Sequence, residues 1–150
     1  MIANQHNGKN IKTEISGFII ERTAKKMKQA FNKLLNDMNA GITADQWVIL
    51  QELEKFDGLS QFEIAARTFK DAPTVTRIID LLCNKKLLER QPDPDDRRKY
   101  NIFLTDLGVA KINEILPMVE AFRADAWNGL SDNEINQLKN ILDIVFKNLE

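Results

Sequence analysis

The feature that most constrains this chain is a single interruption in its hydrophobic period. Apolar residues recur at helical spacing through four successive segments, give way to two short strand-like runs between residues 87 and 104, and then resume helical spacing. After a polar tail over residues 1–10, the first helix is expected from Ile11 to Met38. Ile15, Ile19 or Ile20, Ala24, Met27, Phe31, Leu34 or Leu35 and Met38 form its stripe, and Ala40-Gly41 ends it with a left-handed glycine. A second helix opens at the Thr43/Gln46 capping box, buries Trp47, Leu50, Leu53 and Phe56, and stops at Asp57-Gly58. A third, short helix starts at Ser60/Glu63, with Leu59 and Ile64 as a hydrophobic staple, and runs to about Thr68. Asp71 caps a fourth, with Pro73 in the first turn, where a missing N–H costs little; Val75, Ile78 or Ile79, and Leu82 face inward.

The strand-like runs are Leu87–Arg90 and Tyr100–Leu104, and the Pro/Asp-rich spacer between them reads as a hairpin tip. Thr105 caps a fifth helix through Leu107, Ile112, Ile115 and Leu116, in which Pro117 is expected to produce a kink. Ser131 and Glu134 box the last helix, with Leu130 and Ile135 as staple. Its stripe is Ile135, Leu138, Ile141 or Leu142, Val145 and Leu149.

Two short helices joined by a tight turn and followed by a hairpin describe a winged helix-turn-helix, and that plan implies duplex DNA. The expected class is therefore mainly α with a small β-hairpin wing. Residues 1–40 are the tail and a dimerisation helix, 41–105 the DNA-binding domain, and 106–150 the C-terminal dimerisation helices. On the fourth helix, Pro73, Thr74, Thr76 and Arg77 lie toward the outer face near the N-terminus. Small side chains there let a helix sink into the major groove, N–H groups face phosphates, and arginine addresses guanine bidentately. Lys70 at the turn is a candidate phosphate contact. Taken alone, Thr-Val-Thr-Arg is as easily the solvated face of an amphipathic helix. The hairpin shifts the balance, because Arg97, Arg98 and Lys99 sit at or near its tip, where arginine can enter the minor groove. Asp93, Asp95 and Asp96 share that loop and would repel phosphates, so Asp96 is expected to brace Arg98 and fix its direction.

The formal net charge of −1 does not advertise a polyanion partner, so any basic surface must be local. Residues 60–100 hold nine Lys/Arg against seven Asp/Glu, whereas residues 101–150 hold four against eight, which suits a partner met by one face only. Other chemistry finds little support. His6 and Cys83, the lone histidine and cysteine, fall short of a metal set, and no glycine-rich phosphate loop or nucleophile elbow is present. Neither catalysis nor a cofactor is expected. Cys83, beside inward-facing Leu82, reads as an inert, part-buried thiol. One cysteine, no signal-type stretch and no apolar run of membrane-spanning length lead to an expectation of a cytoplasmic chain.

Residues 59–107 resemble the MarR (multiple antibiotic resistance regulator) family. Thr74-Val75-Thr76-Arg77, Leu88-Glu89-Arg90, Asp95-Asp96-Arg97-Arg98 and Leu104-Thr105-Asp106-Leu107-Gly108 carry the resemblance, and the flanking helices match in order. It implies a transcriptional regulator, usually a repressor, in which Thr74, Thr76 and Arg77 meet the major groove, Arg98 the minor groove, and Asp96 orients Arg98. It also implies a pocket for a small aromatic or otherwise apolar effector between reading head and dimer bundle, with Phe18, Phe31, Trp47 and Phe56 as candidate lining. The same aromatics at helical spacing also read as plain core. Two departures are visible: Phe69 and Lys86 stand where the family commonly has glycine, which suggests a differently packed turn.

A helix from Ile11 to Met38 would be ~42 Å long at 1.5 Å per residue, more than the reading head can cover. The last helix has the same excess. Interleaving of terminal helices from two subunits is the expected solution, which makes a homodimer on a near-palindromic operator. A bundle within one chain is the alternative to that assembly. A winged-helix scaffold that binds protein and not DNA is the alternative to the function.

Overall fold

The computed structural model describes residues 17–150. The expected tail, the first turns of the first helix with Ile11 and Ile15, and His6 lie outside the described residues. The order is α1 (Gly17–Asp37), α2 (Ala44–Lys55), β1 (Leu59–Ser60), α3 (Gln61–Thr68), α4 (Ala72–Asn84), β2 (Leu88–Pro92), β3 (Tyr100–Leu104), α5 (Asp106–Ala126) and α6 (Asp132–Lys147). Among the described residues, six helices and a small antiparallel sheet make the winged helix-turn-helix that the sequence indicates. No described helix is long and apolar enough to cross a membrane.

Capping residues set where the helices begin. Thr43, Ser60 and Ser131 each accept from the backbone N–H three residues on, while Gln46, Glu63 and Glu134 reach back. Asp71 and Thr105 cap α4 and α5, accepting from Thr74 and Gly108. α5 continues through Pro117 as one helix to Ala126.

The helix ends correct the sequence reading. α1 closes on Asn39, with φ 53 and the Ala40 N–H donating to Leu35 O at 2.9 Å; Gly41 is left-handed as expected (φ 71) but follows two residues later. α3 and α4 close the same way on Phe69 (φ 53) and Lys86 (φ 59). There the Lys70 N–H donates to Ala65 O at 3.2 Å and the Leu87 N–H to Leu82 O at 3.0 Å. The two positions where glycine was missed therefore keep the left-handed backbone that glycine would adopt.

β1 was not anticipated. Leu59 and Ser60 pair with Ile102 and Asn101, so the sheet order is β1-β3-β2, with β3 in the middle. On its other side β3 pairs with β2 from Leu88↔Leu104 to Pro92↔Tyr100, so β2 begins one residue after the expected Leu87 and runs two residues beyond the expected Arg90. Gly58 (φ 78) turns the chain into β1 against the Phe103 ring, which a Cβ there would meet at 2.9 Å. Gly108 lies so close to Leu87 O that a Cβ would approach it to 2.2 Å, which explains the glycine in the Leu-Thr-Asp-Leu-Gly run.

One core joins these elements. It runs from Leu35 and Ile42 through Trp47, Ile49, Leu50 and Leu53, then Ile64, Val75, Ile78, Ile79 and Leu82. It finishes with Leu88, Ile102, Ile112, Ile115 and Val119. Phe56, expected inside, is exposed instead, with the Arg67 guanidinium 4.1 Å above its ring. α6 contributes nothing to the core: none of its residues is buried. Phe146 near its end meets Phe69 edge-on at 5.3 Å between centroids.

Left-handed backbone at a residue with a Cβ costs roughly 1–2 kcal/mol, partly offset in glycine by its greater unfolded-state freedom. Lys86→Gly is therefore expected to stabilise the protein by about 0.5–1 kcal/mol in urea denaturation. Lys86→Ala should bring no such gain.

Candidate nucleic-acid interface

The start of α4 is organised by side chains bonding to their own turn. The Asp71 carboxylate accepts from the Thr74 N–H at 2.9 Å and from the Thr74 hydroxyl at 2.8 Å. Those bonds, the backbone one foremost, hold its pKa below the usual carboxylate value. Pro73 follows in the first turn. Pro73, Thr76 and Arg77 are exposed and Thr74 is half-buried, all on the side of α4 opposite buried Val75, Ile78 and Ile79.

A polar chain ties this helix to α3 and to the wing. The Thr76 hydroxyl donates to Ala72 O at 3.0 Å, and the Gln61 Nε2 donates to Thr76 Oγ1 at 3.0 Å. Arg90 on β2 donates from Nε to Gln61 Oε1 at 3.3 Å, and its Nη2 pairs with Asp80 on α4. Gln61 was not among the residues the sequence singled out, and Arg90 entered only within the Leu88-Glu89-Arg90 motif, with no role assigned. No local pattern marks them, because the chain joins three elements distant in sequence.

The wing tip is held by two carboxylates. Asp93 Oδ1 accepts from the N–H groups of Asp95 (2.8 Å) and Asp96 (3.0 Å), while Oδ2 accepts from Asn101 Nδ2 at 3.1 Å. Asp96 Oδ1 accepts from Arg98 N at 3.0 Å and Arg98 Nε at 3.2 Å. Hydrogen bonds from backbone N–H groups, first those of Asp95 and Asp96 and then that of Arg98, lower the pKa of Asp93 and Asp96 respectively. The Arg98 side chain is 91% exposed even while paired, with Arg97 and Lys99 exposed beside it. Asp93 is the organiser that the sequence reading overlooked; an Asx-type Asp two residues before another Asp was the available signal.

Lys70 is differently placed. Its ammonium pairs with Asp45 on α2 and its side chain is only 18% exposed, so it is not a free cation facing outward. Asp45 also pairs with Lys28 of α1 at 2.7 Å, which joins α1, α2 and the helix-turn-helix. Burial pushes the Asp45 carboxyl up, but hydrogen bonds from Lys28 and Lys70, with their charges, outweigh it and leave the pKa lowered. Cys83 is half-buried and burial raises its thiol pKa.

A cavity of about 440 Å³ opens above Asp45 between α1, α2 and α5. Phe31, Trp47, Phe122 and Trp127 form its aromatic walls, and Lys28, Gln51 and Arg123 supply polar groups. Of the four aromatics expected there, Phe31 and Trp47 line it. Phe18 is an exposed residue of the first turn of α1 and Phe56 is held by Arg67, so neither takes part.

The sequence model described as the MarR family matches residues 40–99. An uncharacterized HTH-type transcriptional regulator of Bacillus subtilis, YsmB, is 30% identical over 109 residues, 73% of this chain and 73% of the relative. A mutant MarR from E. coli complexed with operator DNA superposes with a TM-score of 0.80 at 25% identity, over 91% of this chain and 99% of that one. Bordetella bronchiseptica BpsR, described for regulation of its DNA binding by 6-hydroxynicotinic acid, gives a TM-score of 0.77 at 29% identity, over 86% and 96%.

Because the Asp45 pKa is lower in the fold than its ordinary 3.8, its ion pairs contribute fully above that value and lose their contribution as pH falls through the lowered one. Asp45→Asn should destabilise by about 1 kcal/mol at pH 7. The gap to wild type should close in acid denaturation series run below the ordinary value.

Proposed function

The chain belongs to the MarR family of DNA-binding transcriptional regulators, and from that premise we propose that it acts as a homodimeric repressor on a near-palindromic operator. The observation that carries the reading is the shared anchorage of two exposed features. α4 is tied to β2 by the Arg90–Asp80 pair and to α3 through Thr76 and Gln61, and the Arg98 fingertip lies in the loop that joins β2 to β3, so the two can enter neighbouring grooves as a unit. Thr74, Thr76 and Arg77 address the major groove, with Pro73 allowing close approach. Arg98 enters the minor groove, aimed by Asp96, while Arg97 and Lys99 meet phosphates. Lys70 acts indirectly, by bracing the turn through Asp45. Occupying both grooves of an operator that overlaps a promoter excludes polymerase from the same DNA, and repression is the outcome of that placement.

Self-association is supported by what α6 leaves bare. Leu138, Ile141, Leu142, Ile144, Val145 and Phe146 are all exposed on one helix, as are Phe18, Ile19 and Ile20 at the start of α1. An apolar surface of that extent on both terminal helices fits a second copy related by a two-fold axis. The cavity beside Asp45 suits a small aromatic acid: its walls are aromatic, and Arg123, whose one bond in the site is to the neutral Gln51, can meet a carboxylate, whereas Lys28 is already paired with Asp45. A reducing, cytoplasmic setting follows from the role.

Arg98→Ala should weaken operator binding by about 1–3 kcal/mol in gel-shift or anisotropy titration while leaving sedimentation unchanged. Ile141→Glu should shift the protein toward monomer in sedimentation and weaken DNA binding with it. Both tryptophans of the chain line the cavity, so a bound aromatic acid such as 6-hydroxynicotinic acid should quench intrinsic fluorescence and release DNA over one concentration range. A wild-type dimer that binds no duplex at low salt would reassign the fold to a protein-binding scaffold.

A further inference from the structure

The hydrogen bonds around α4 determine which chemical group each reading residue has left to offer a base. A hydroxyl has one proton to donate. In Thr76 that proton goes to Ala72 O, four residues back on the same helix, at 3.0 Å. The oxygen also accepts from Gln61 Nε2 at 3.0 Å. Gln61 cannot easily turn away, because its own Oε1 is held by Arg90 Nε at 3.3 Å, and Arg90 is in turn held by Asp80. The oxygen branch of Thr76 is thus committed to the protein, although the residue as a whole is exposed on the reading face. What remains for the groove is the other branch at Cβ, the methyl. Thr74 differs: its hydroxyl proton goes to Asp71, and no donor on a neighbouring helix occupies its oxygen.

In the major groove the only apolar base feature is the C5-methyl of thymine, and a threonine methyl is one of the groups that packs against it. We infer that Thr76 reads a thymine through its methyl group, and that Gln61 and Arg90 are positioning residues that keep its hydroxyl turned away from the bases. The inference rests on the DNA-reading role assigned to α4 above, and adds the base and the group that recognises it.

The test starts from duplexes selected by the wild-type protein out of a random pool. Each thymine of the selected site is then replaced singly by deoxyuridine, which removes the C5-methyl and keeps the base pair. One thymine position is expected to weaken wild-type binding by about fourfold on replacement, the cost of one lost methyl burial. Thr76→Val should bind as wild type does and show the same loss at that position. Thr76→Ser, which keeps the hydroxyl but lacks the methyl, should bind thymine and deoxyuridine duplexes equally. Gln61→Ala should shrink the thymine discrimination at that position alone; a residue serving only to stabilise the fold would weaken binding to every duplex by a similar factor. Arg90→Ala should resemble Gln61→Ala, with Arg90→Lys restoring part of the discrimination. Loss of binding in folded Thr76→Val, or a wild-type protein indifferent to every thymine methyl, overturns the inference. Failure of the wild-type protein to select any duplex overturns instead the DNA-reading role on which it rests.

Discussion

Everything at the reading face depends on β3 being the middle strand. Its backbone bonds hold β1 on one side and β2 on the other, and β1 runs directly into the N-cap of α3. Ile102, at the crossing of the two pairings, is fully buried in the common core. A two-stranded ribbon alone would be marginal in water. The third strand, only two residues long, converts the wing from an appendage into part of the head. Arg90 adds a side-chain strut from β2 to α4, so the wing is fixed to α3 through the sheet and to α4 through the ion pair and the Gln61–Thr76 bond.

Much of this was legible in the sequence because it is local chemistry. Ser60 with Glu63, Thr43 with Gln46 and Ser131 with Glu134 mark helix starts with information confined to four residues, and the structure places caps at those residues. The strand Tyr100–Leu104 was legible for a similar reason: its period stands out against helical neighbours. β1 was not, since two residues carry no period. Phe56 shows the limit of helical spacing as a guide to burial. It continues the stripe of Trp47, Leu50 and Leu53, yet it lies beyond the last turn of α2, where the backbone has left the helix and a guanidinium covers the ring. The bonds of Gln61 were invisible because its partners, Thr76 and Arg90, lie 15 and 29 residues away.

The turns are instructive about what encodes a backbone shape. Asn39, Phe69 and Lys86 all take left-handed conformations that cost a residue with a side chain, and in each case the hydrogen bonds closing the preceding helix are made. Closure of the helix outweighs the local penalty, joined after Asn39 and Lys86 by burial of the next residue, Ala40 and Leu87. Phe69 gains in addition a ring contact with Phe146, so the one turn where glycine would be expected within the helix-turn-helix also touches the C-terminal helix. That contact links the reading head to the element whose apolar face is left uncovered.

The wing tip carries its own scaffolding. The side-chain bonds that shape it run among Asp93, Asp95, Asp96, Arg98 and Asn101, joined by backbone bonds of Asp93 and Lys99, and its only anchor to the sheet in that set is Asn101, which pairs with Gln91 and Ser60. Such a loop behaves as a cassette. Transplanted between strands of the same register in another hairpin, residues 93–101 would bring the aim of the arginine with them, so the reach of the fingertip can be exchanged between regulators without redesigning the body that bears it.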